Sequence, residues 1–81
     1  MASTEERIEK IIIDKLGLDA STLTPDTSFK TNLHIDSLDM IEVIVAIEKE
    51  FNIAIPDEDI EKIQTMRQAA DYVNKTRRLV F

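Results

Sequence analysis

The chain has 81 residues, which suffices for one small domain and leaves little room for a deep substrate cavity. Its 16 acidic and 10 basic residues give a net charge of −6, which argues against nucleic acid or an anionic membrane surface as the partner. The chain has no cysteine, which excludes disulfides, cysteine-based zinc sites and catalysis by a protein thiol.

The first predicted element is a helix from about Thr4 to Leu16. Ser3 and Glu6 have the spacing of a capping box, which is typical of a helix N-terminus. Gly17, the only glycine, stands where a helix C-terminus favours one. Apolar residues recur at helical spacing along one face, namely Ile8, Ile11, Ile12 and Leu16.

Residues 18–36 have no sustained hydrophobic period and are rich in polar residues, with a proline at position 25. We therefore predict a long loop, and loops of this length in small domains are more often functional than not. Spaced apolar residues should hold it to the core: Leu18, Leu23, Phe29 and Leu33.

A second helix is predicted from Ser37 to Phe51, with Asp36 or Ser37 as its N-cap. Stepping about 100° per residue around this helix separates two apolar arcs. The wider arc predicts a core face of Met40, Val43, Ile44, Ile47 and Phe51. The narrower arc is not needed by a single core, so it is either buried on a second side or offered to a partner. It consists of Leu38, Ile41 and Val45.

The remaining chain predicts two more helices. A short one begins after Pro56, with acidic residues in its first turn. The last runs from about Met66 to Thr76, with Thr65 and Gln68 as a capping box, and residues 77–81 should fray. The pattern thus predicts an all-α chain with three longer helices, one short helix and a long loop between the first and second helices.

Ser37 has two interpretations at this point. Spacing alone favours a capping role for the Asp36–Ser37 pair. The alternative is covalent modification of an exposed hydroxyl at a helix N-terminus, where the dipole favours phosphate. Asp36 and Asp39 oppose passive anion binding by like charge, so they would better serve as contacts for a modifying enzyme or its metal.

Catalytic and metal sites are not supported. His34, Ser37 and a neighbouring aspartate superficially suggest a hydrolase triad, but no glycine-rich elbow accompanies them. The acidic run at 57–61 lacks the ligand spacing and the glycine of a calcium loop. We expect no catalytic residue and no metal ligand. No apolar run is long enough to span a membrane, and the N-terminus lacks signal-peptide features, so we expect a soluble cytoplasmic protein.

An ordered set of motifs over nearly the whole chain resembles the acyl carrier protein family. Its centre is Asp36-Ser37-Leu38-Asp39, followed by Ile41-Glu42. The other matching segments are Glu5-Glu6-Arg7-Ile8, Lys10-Ile11-Ile12, Phe29, Ala46-Ile47-Glu48-Lys49-Glu50-Phe51, Ile55-Pro56-Asp57-Glu58, Glu61-Lys62-Ile63 and Ala69-Ala70-Asp71-Tyr72-Val73.

The resemblance implies a small four-helix bundle that forms a single acyl-carrier domain over residues 1–81. It implies that Ser37, flanked by Asp36, Leu38 and Asp39, receives 4'-phosphopantetheine through a phosphodiester link. The thiol of this arm would hold growing acyl chains as thioesters, so a cysteine-free protein acts as a shuttle and not as an enzyme.

The resemblance also implies a docking surface for partner enzymes. Leu38, Ile41 and Val45 match its apolar positions, whereas the acidic positions match Asp36, Asp39, Glu42 and Glu48. Nine acids and one base fall in residues 36–61, for a net charge of −8 around this surface. The implied partners of a monomeric carrier are a phosphopantetheinyl transferase, acyl chains and basic-surfaced enzymes of fatty-acid or polyketide synthesis.

Three features depart from the family pattern: His34 replaces a usual glycine, Lys49 replaces a frequent carboxylate, and the tail at 77–81 has no counterpart. A carrier for fatty-acid synthesis, a specialised carrier for polyketide or other secondary acyl chemistry and an unmodified helical interaction module therefore all stay open. An acyl chain held between the helices would contact residues whose default role is core packing, namely Val43, Ile44, Ile47, Phe51, Ile63 and Ala69.

Overall fold

The computed structural model describes residues 3–78 and contains four α-helices in that range. They are α1 (Thr4–Leu16), α2 (Ser37–Phe51), α3 (Asp57–Ile60) and α4 (Met66–Arg78). Within residues 3–78 the only β-type pairing is an isolated bridge between Ser28 and Thr65. The predicted all-α class, with three longer helices, one short helix and a long first loop, is confirmed.

The local signals act at the ends of α1 as predicted. Ser3 and Glu6 form both hydrogen bonds of the capping box. Gly17 adopts the left-handed conformation at φ 67°, which ends the helix without the steric cost that a Cβ would bring. Asn52 ends α2 in the same left-handed conformation, at φ 55°, which asparagine adopts more readily than most residues that have a Cβ.

Two details of α4 differ from the prediction. The Thr65 hydroxyl accepts the N–H of Gln68, but the Gln68 side chain accepts the N–H of Gln64 and not that of Thr65. The helix also continues two residues beyond Thr76, so positions 77 and 78 are helical and not a frayed tail. The Arg77 guanidinium lies 5.7 Å from the centroid of the Phe51 ring, and this contact favours the extra turn. Residues 79–81 of the predicted tail lie outside the described residues.

The core lies where α1, α2 and α4 meet, since α1 packs against both other long helices. Each helix contributes buried apolar side chains to one cluster. The members from the three long helices are Ile8, Ile12, Val43, Ile44, Ile47, Phe51, Met66, Ala69, Ala70 and Val73. Of the predicted faces, Ile11, Leu16 and Met40 are only partly buried against this cluster.

The long loop is fixed to the bundle as predicted, with Leu23 and Phe29 buried and Leu18 and Leu33 partly buried. Its backbone also bonds to the region before α4, because the Phe29 N–H donates to the Gln64 carbonyl at 2.9 Å. One 3-10 turn, Ala20–Thr22, forms within the loop and was not predicted. These anchors carry the loop across the bundle to the N-terminus of α2.

Candidate functional site

Asp36, and not Ser37, is the N-cap of α2. Its carboxylate accepts the N–H of Asp39 at 2.8 Å. Ser37 is the first helical residue, is exposed, and its hydroxyl makes no hydrogen bond to any of residues 3–78. The hydroxyls of Ser3 and Ser28, by contrast, each accept a backbone N–H. The structure therefore separates the two sequence-level roles: the aspartate caps the helix, and the serine hydroxyl stays available.

The surroundings of Ser37 fit a covalently attached phosphate group. The first N–H groups of a helix have no intrahelical acceptor, and the helix dipole adds positive potential at this end. Ser37 itself is exposed, and neither the Asp36 nor the Asp39 carboxylate forms a hydrogen bond with its hydroxyl. A phosphodiester on Ser37 would point into solvent and remain reachable by another protein.

An apolar groove of about 890 Å³ starts beside Ser37 and runs between α2, α3 and the end of the long loop. Of the six residues predicted to contact an acyl chain, only Ile44 and Ile63 line it. The other four are buried in the core and do not border the groove. Its apolar lining is Phe29, Ile35, Met40, Ile41, Ile44, Val45, Ile55, Ile60 and Ile63.

The narrower apolar arc of α2 is exposed, as the docking interpretation requires. Leu38 is 74% exposed, Ile41 50% and Val45 41%. The alternative in which both arcs are buried is therefore excluded for this chain. We call these three residues the exposed strip. It begins next to Ser37 and follows the helix toward its C-terminus.

The two glutamates predicted to contact partners differ in environment. Glu42 is exposed, whereas Glu48 is partly buried and its carboxylate accepts the N–H of Ile55 at 2.9 Å. This hydrogen bond closes the connection between α2 and α3. Glu48 thus has a structural role that spacing on one helix could not indicate, because its partner lies seven residues away in a non-helical segment.

A second tether holds α3 from the other side. The Tyr72 hydroxyl on α4 donates to Asp59 Oδ2 at 2.6 Å, and Lys62 Nζ lies 3.3 Å from Asp59 Oδ1. Burial and the hydrogen bond to Asp59 raise the pKa of Tyr72 to about 12. The same hydrogen bond, together with the one from Lys62, lowers the pKa of Asp59. The short helix that borders the groove is therefore fixed at both ends by side-chain hydrogen bonds.

The residues of the rejected hydrolase arrangement do not come together. Within residues 3–78, His34 forms no hydrogen bond to Ser37 or to either neighbouring aspartate, and the carboxylate of Asp36 is used by the backbone of α2. No group of three His, Asp or Glu side chains in the described range is placed to hold a metal ion. No helix in that range has the length and apolar content needed to cross a membrane.

Comparison with known proteins shows which class of protein has a site of this kind. The sequence model for the phosphopantetheine attachment site family matches residues 6–73. The solution structure of a protein assigned as an acyl carrier protein from Anaplasma phagocytophilum is similar in fold, with a TM-score of 0.82 and 26% sequence identity. That match covers 88% of this chain and 84% of the other.

These similarities define a non-catalytic acyl carrier domain of the kind that receives 4'-phosphopantetheine covalently. The chain belongs to the phosphopantetheine attachment site family. The acyl carrier resemblance and the expected cofactor are therefore confirmed. A phosphopantetheinyl transferase and acyl chains follow as its partners.

Proposed function

We propose that the chain carries acyl groups as thioesters on a 4'-phosphopantetheine arm attached to Ser37, and delivers them to enzymes of fatty-acid synthesis. One observation carries the assignment of the residue. The Ser37 hydroxyl is exposed and unengaged at the start of α2, because Asp36 provides the cap in its place. The arm would supply the thiol that this cysteine-free chain lacks.

The residues around Ser37 suit this role without any catalytic group. Asp36 caps α2 and so fixes the backbone of the first turn, in which Ser37 lies. Leu38 and Asp39 flank the attachment point and are proposed contacts for the modifying enzyme. The groove beside Ser37 offers apolar lining that an acyl chain could cover, which would remove that chain from water.

Docking of the partner enzymes is assigned to the exposed strip and the acids around it. Burial of Leu38, Ile41 and Val45 in an apolar groove of the partner would provide the contact. Basic side chains of the partner would pair with acids of this surface and speed the encounter. We propose Asp36, Asp39, Glu42 and Glu48 for this role. Asp36 and Glu48 are less free than the other two, because each already accepts a backbone N–H.

We propose a monomeric cytoplasmic carrier formed by residues 1–81 as one domain. A specialised carrier for polyketide or other secondary acyl chemistry is the second candidate. The observation that favours it is Lys49, an exposed base beside the exposed strip and the only base in residues 36–61 of the sequence. A different set of partner enzymes would account for such a charge.

The test is co-expression with a broad-specificity phosphopantetheinyl transferase, followed by intact mass measurement. We expect one phosphopantetheine per wild-type chain and none on Ser37→Ala. Ser21→Ala is the matched control, because Ser21 is also exposed and its hydroxyl is also unengaged within residues 3–78. Addition to Ser37→Ala would refute the assignment of the residue. No addition to the wild-type chain would favour an unmodified interaction module.

A further inference from the structure

The exposed strip of α2 has two different borders. On the side of α1 it meets a shallow depression of about 520 Å³, to which α1 contributes Ile11 and Lys15. On the side of α3 it meets the groove that begins at Ser37. Ile41 and Val45 line both depressions, so a partner seated on the strip contacts both borders at once.

The border toward α1 carries two positive charges that are unpaired within residues 3–78. Lys15 and Lys49 are exposed, and neither forms an ion pair with a carboxylate of residues 3–78. Of the two acids on this border, Glu50 is bound by Arg7 at 2.8 Å, which leaves only Glu42 free to oppose the lysines. The two lysines and two glutamates that line this border sum to zero, but within residues 3–78 two unpaired lysines remain against one unpaired carboxylate.

The border toward α3 carries negative charge. Four acids line it, and one base, Lys30, stands among them, for a net charge of −3. The acids are Asp36, Glu48, Asp57 and Glu61. The excess of unpaired charge is therefore basic on one side of the exposed strip and acidic on the other, across roughly one helix diameter of about 10 Å. At physiological salt the Debye length is about 8 Å, so a charged side chain of a partner interacts mainly with the border that it faces.

We propose that the exposed strip fits a partner enzyme with a docking surface of mixed charge. Basic side chains of the partner would face the acids near α3, and an acidic side chain would face Lys15 and Lys49. Juxtaposed like charges at an interface are unfavourable and reject wrong partners. Lys49 is then a specificity-determining residue, because it disfavours partners that are basic along the whole contact. This inference rests on the proposed carrier function.

The first experiment measures the rate of Ser37 modification by a phosphopantetheinyl transferase with a uniformly basic docking surface. At low salt, Lys49→Glu should raise kcat/KM three- to tenfold, and at high salt the gain should fall below twofold. Lys10→Glu is the matched control, since it makes the same charge change at an exposed position of α1 outside both depressions. It should change kcat/KM less than twofold.

The second experiment builds the proposed partner directly. Basic residues on the docking surface of the transferase are replaced one at a time by glutamate. At least one replacement should favour the wild-type carrier over Lys49→Glu at least fivefold in a double-mutant cycle. Equal effects of Lys49→Glu and Lys10→Glu, with no coupled transferase variant, would overturn the inference while modification of Ser37 continued. Loss of modification from every carrier would instead refute the proposed function.

Discussion

The two apolar faces of α2 both contain isoleucine and valine but differ in how far their side chains are buried. Ile47 is 1% exposed in the core, whereas Ile41, less than two turns earlier, is 50% exposed. The buried face explains the fold, because it packs against α1 and the rest of the cluster. The exposed strip does not belong to the core and so adds no comparable packing to the fold. A contiguous apolar patch on the surface of a small domain is typical of an interaction site.

Truncation of one isoleucine on each face should give the largest difference in stability between the two faces. Ile47→Ala should lower the free energy of unfolding by about 2–5 kcal/mol, because it leaves a cavity in the core. Ile41→Ala should change it by less than about 1 kcal/mol, because Ile41 is half exposed and its truncation leaves no cavity in the core. Urea denaturation of both variants measures the difference. Similar losses for the two variants would mean that the exposed strip is part of the core.

The same comparison applies to the glutamates of α2. Glu48→Ala should lower the free energy of unfolding by about 1–2 kcal/mol, because it leaves the N–H of the buried Ile55 without its acceptor. Glu42→Ala should have little effect on unfolding, since Glu42 is exposed and makes no hydrogen bond within residues 3–78. Its effect should instead be a slower, salt-dependent modification of Ser37. Equal stability of the two variants would remove the structural role assigned to Glu48.

Sequence patterns predicted the parts of this site that depend on a single helix. The bounds of α1 and α2, the core face around Ile47 and the exposed strip all follow from helical spacing and local capping signals, and the structure confirms them. The sequence does not decide whether Asp36 or Ser37 is the N-cap of α2. Both side chains can cap, and the choice depends on backbone angles that the sequence does not give.

The contacts that the sequence does not predict join residues from different segments. The Glu48 carboxylate accepts the N–H of Ile55 beyond the end of α2, and the Tyr72 hydroxyl on α4 donates to Asp59 on α3. Each contact depends on how two segments pack against each other. The hydrophobic periodicity within a single helix carries no information on that packing. Only two of the six predicted acyl-contact residues, Ile44 and Ile63, line the groove, because it lies between α2 and α3 and not at the centre of the bundle.

A pH profile can sharpen the distinction between the fixed and the free parts of the acidic region. Tyr72→Phe removes the hydrogen bond to Asp59, so the variant should be less stable than the wild-type chain at neutral pH. The pKa of Asp59 is lowered in the folded state, so this contribution is lost as pH falls below about 3.8, its ordinary value. The pKa of Tyr72 is raised from 10.0 to about 12, so the contribution also fades between these two values.

The stability difference between the two proteins should therefore form a plateau from about pH 4 to pH 10 and shrink on either side. Thermal unfolding across this range measures it. Thr4→Val is a suitable control, because it removes a different side-chain hydrogen bond to α4, from Thr4 to Asn74 at 2.8 Å, that involves no shifted group. A difference that did not change with pH would contradict the assigned role of the Tyr72–Asp59 bond.

The smallest expected effect lies at His34, just before the modification site. His34 adopts φ 53°, which explains why a glycine is usual at this position in the family that the chain resembles. A left-handed conformation costs a residue with a Cβ about 1–2 kcal/mol, whereas the extra freedom of an unfolded glycine costs about 0.5–1 kcal/mol.

The His34 side chain is exposed and makes no hydrogen bond within residues 3–78, so its removal loses no contact of that kind. His34→Gly should therefore raise the free energy of unfolding by about 0.5–1 kcal/mol in urea denaturation. Gly17→Ala, at φ 67° with open space around the new Cβ, should lower it by about 1 kcal/mol. A loss of stability in His34→Gly would show that the histidine makes a favourable interaction beside Ser37 that outweighs its backbone strain.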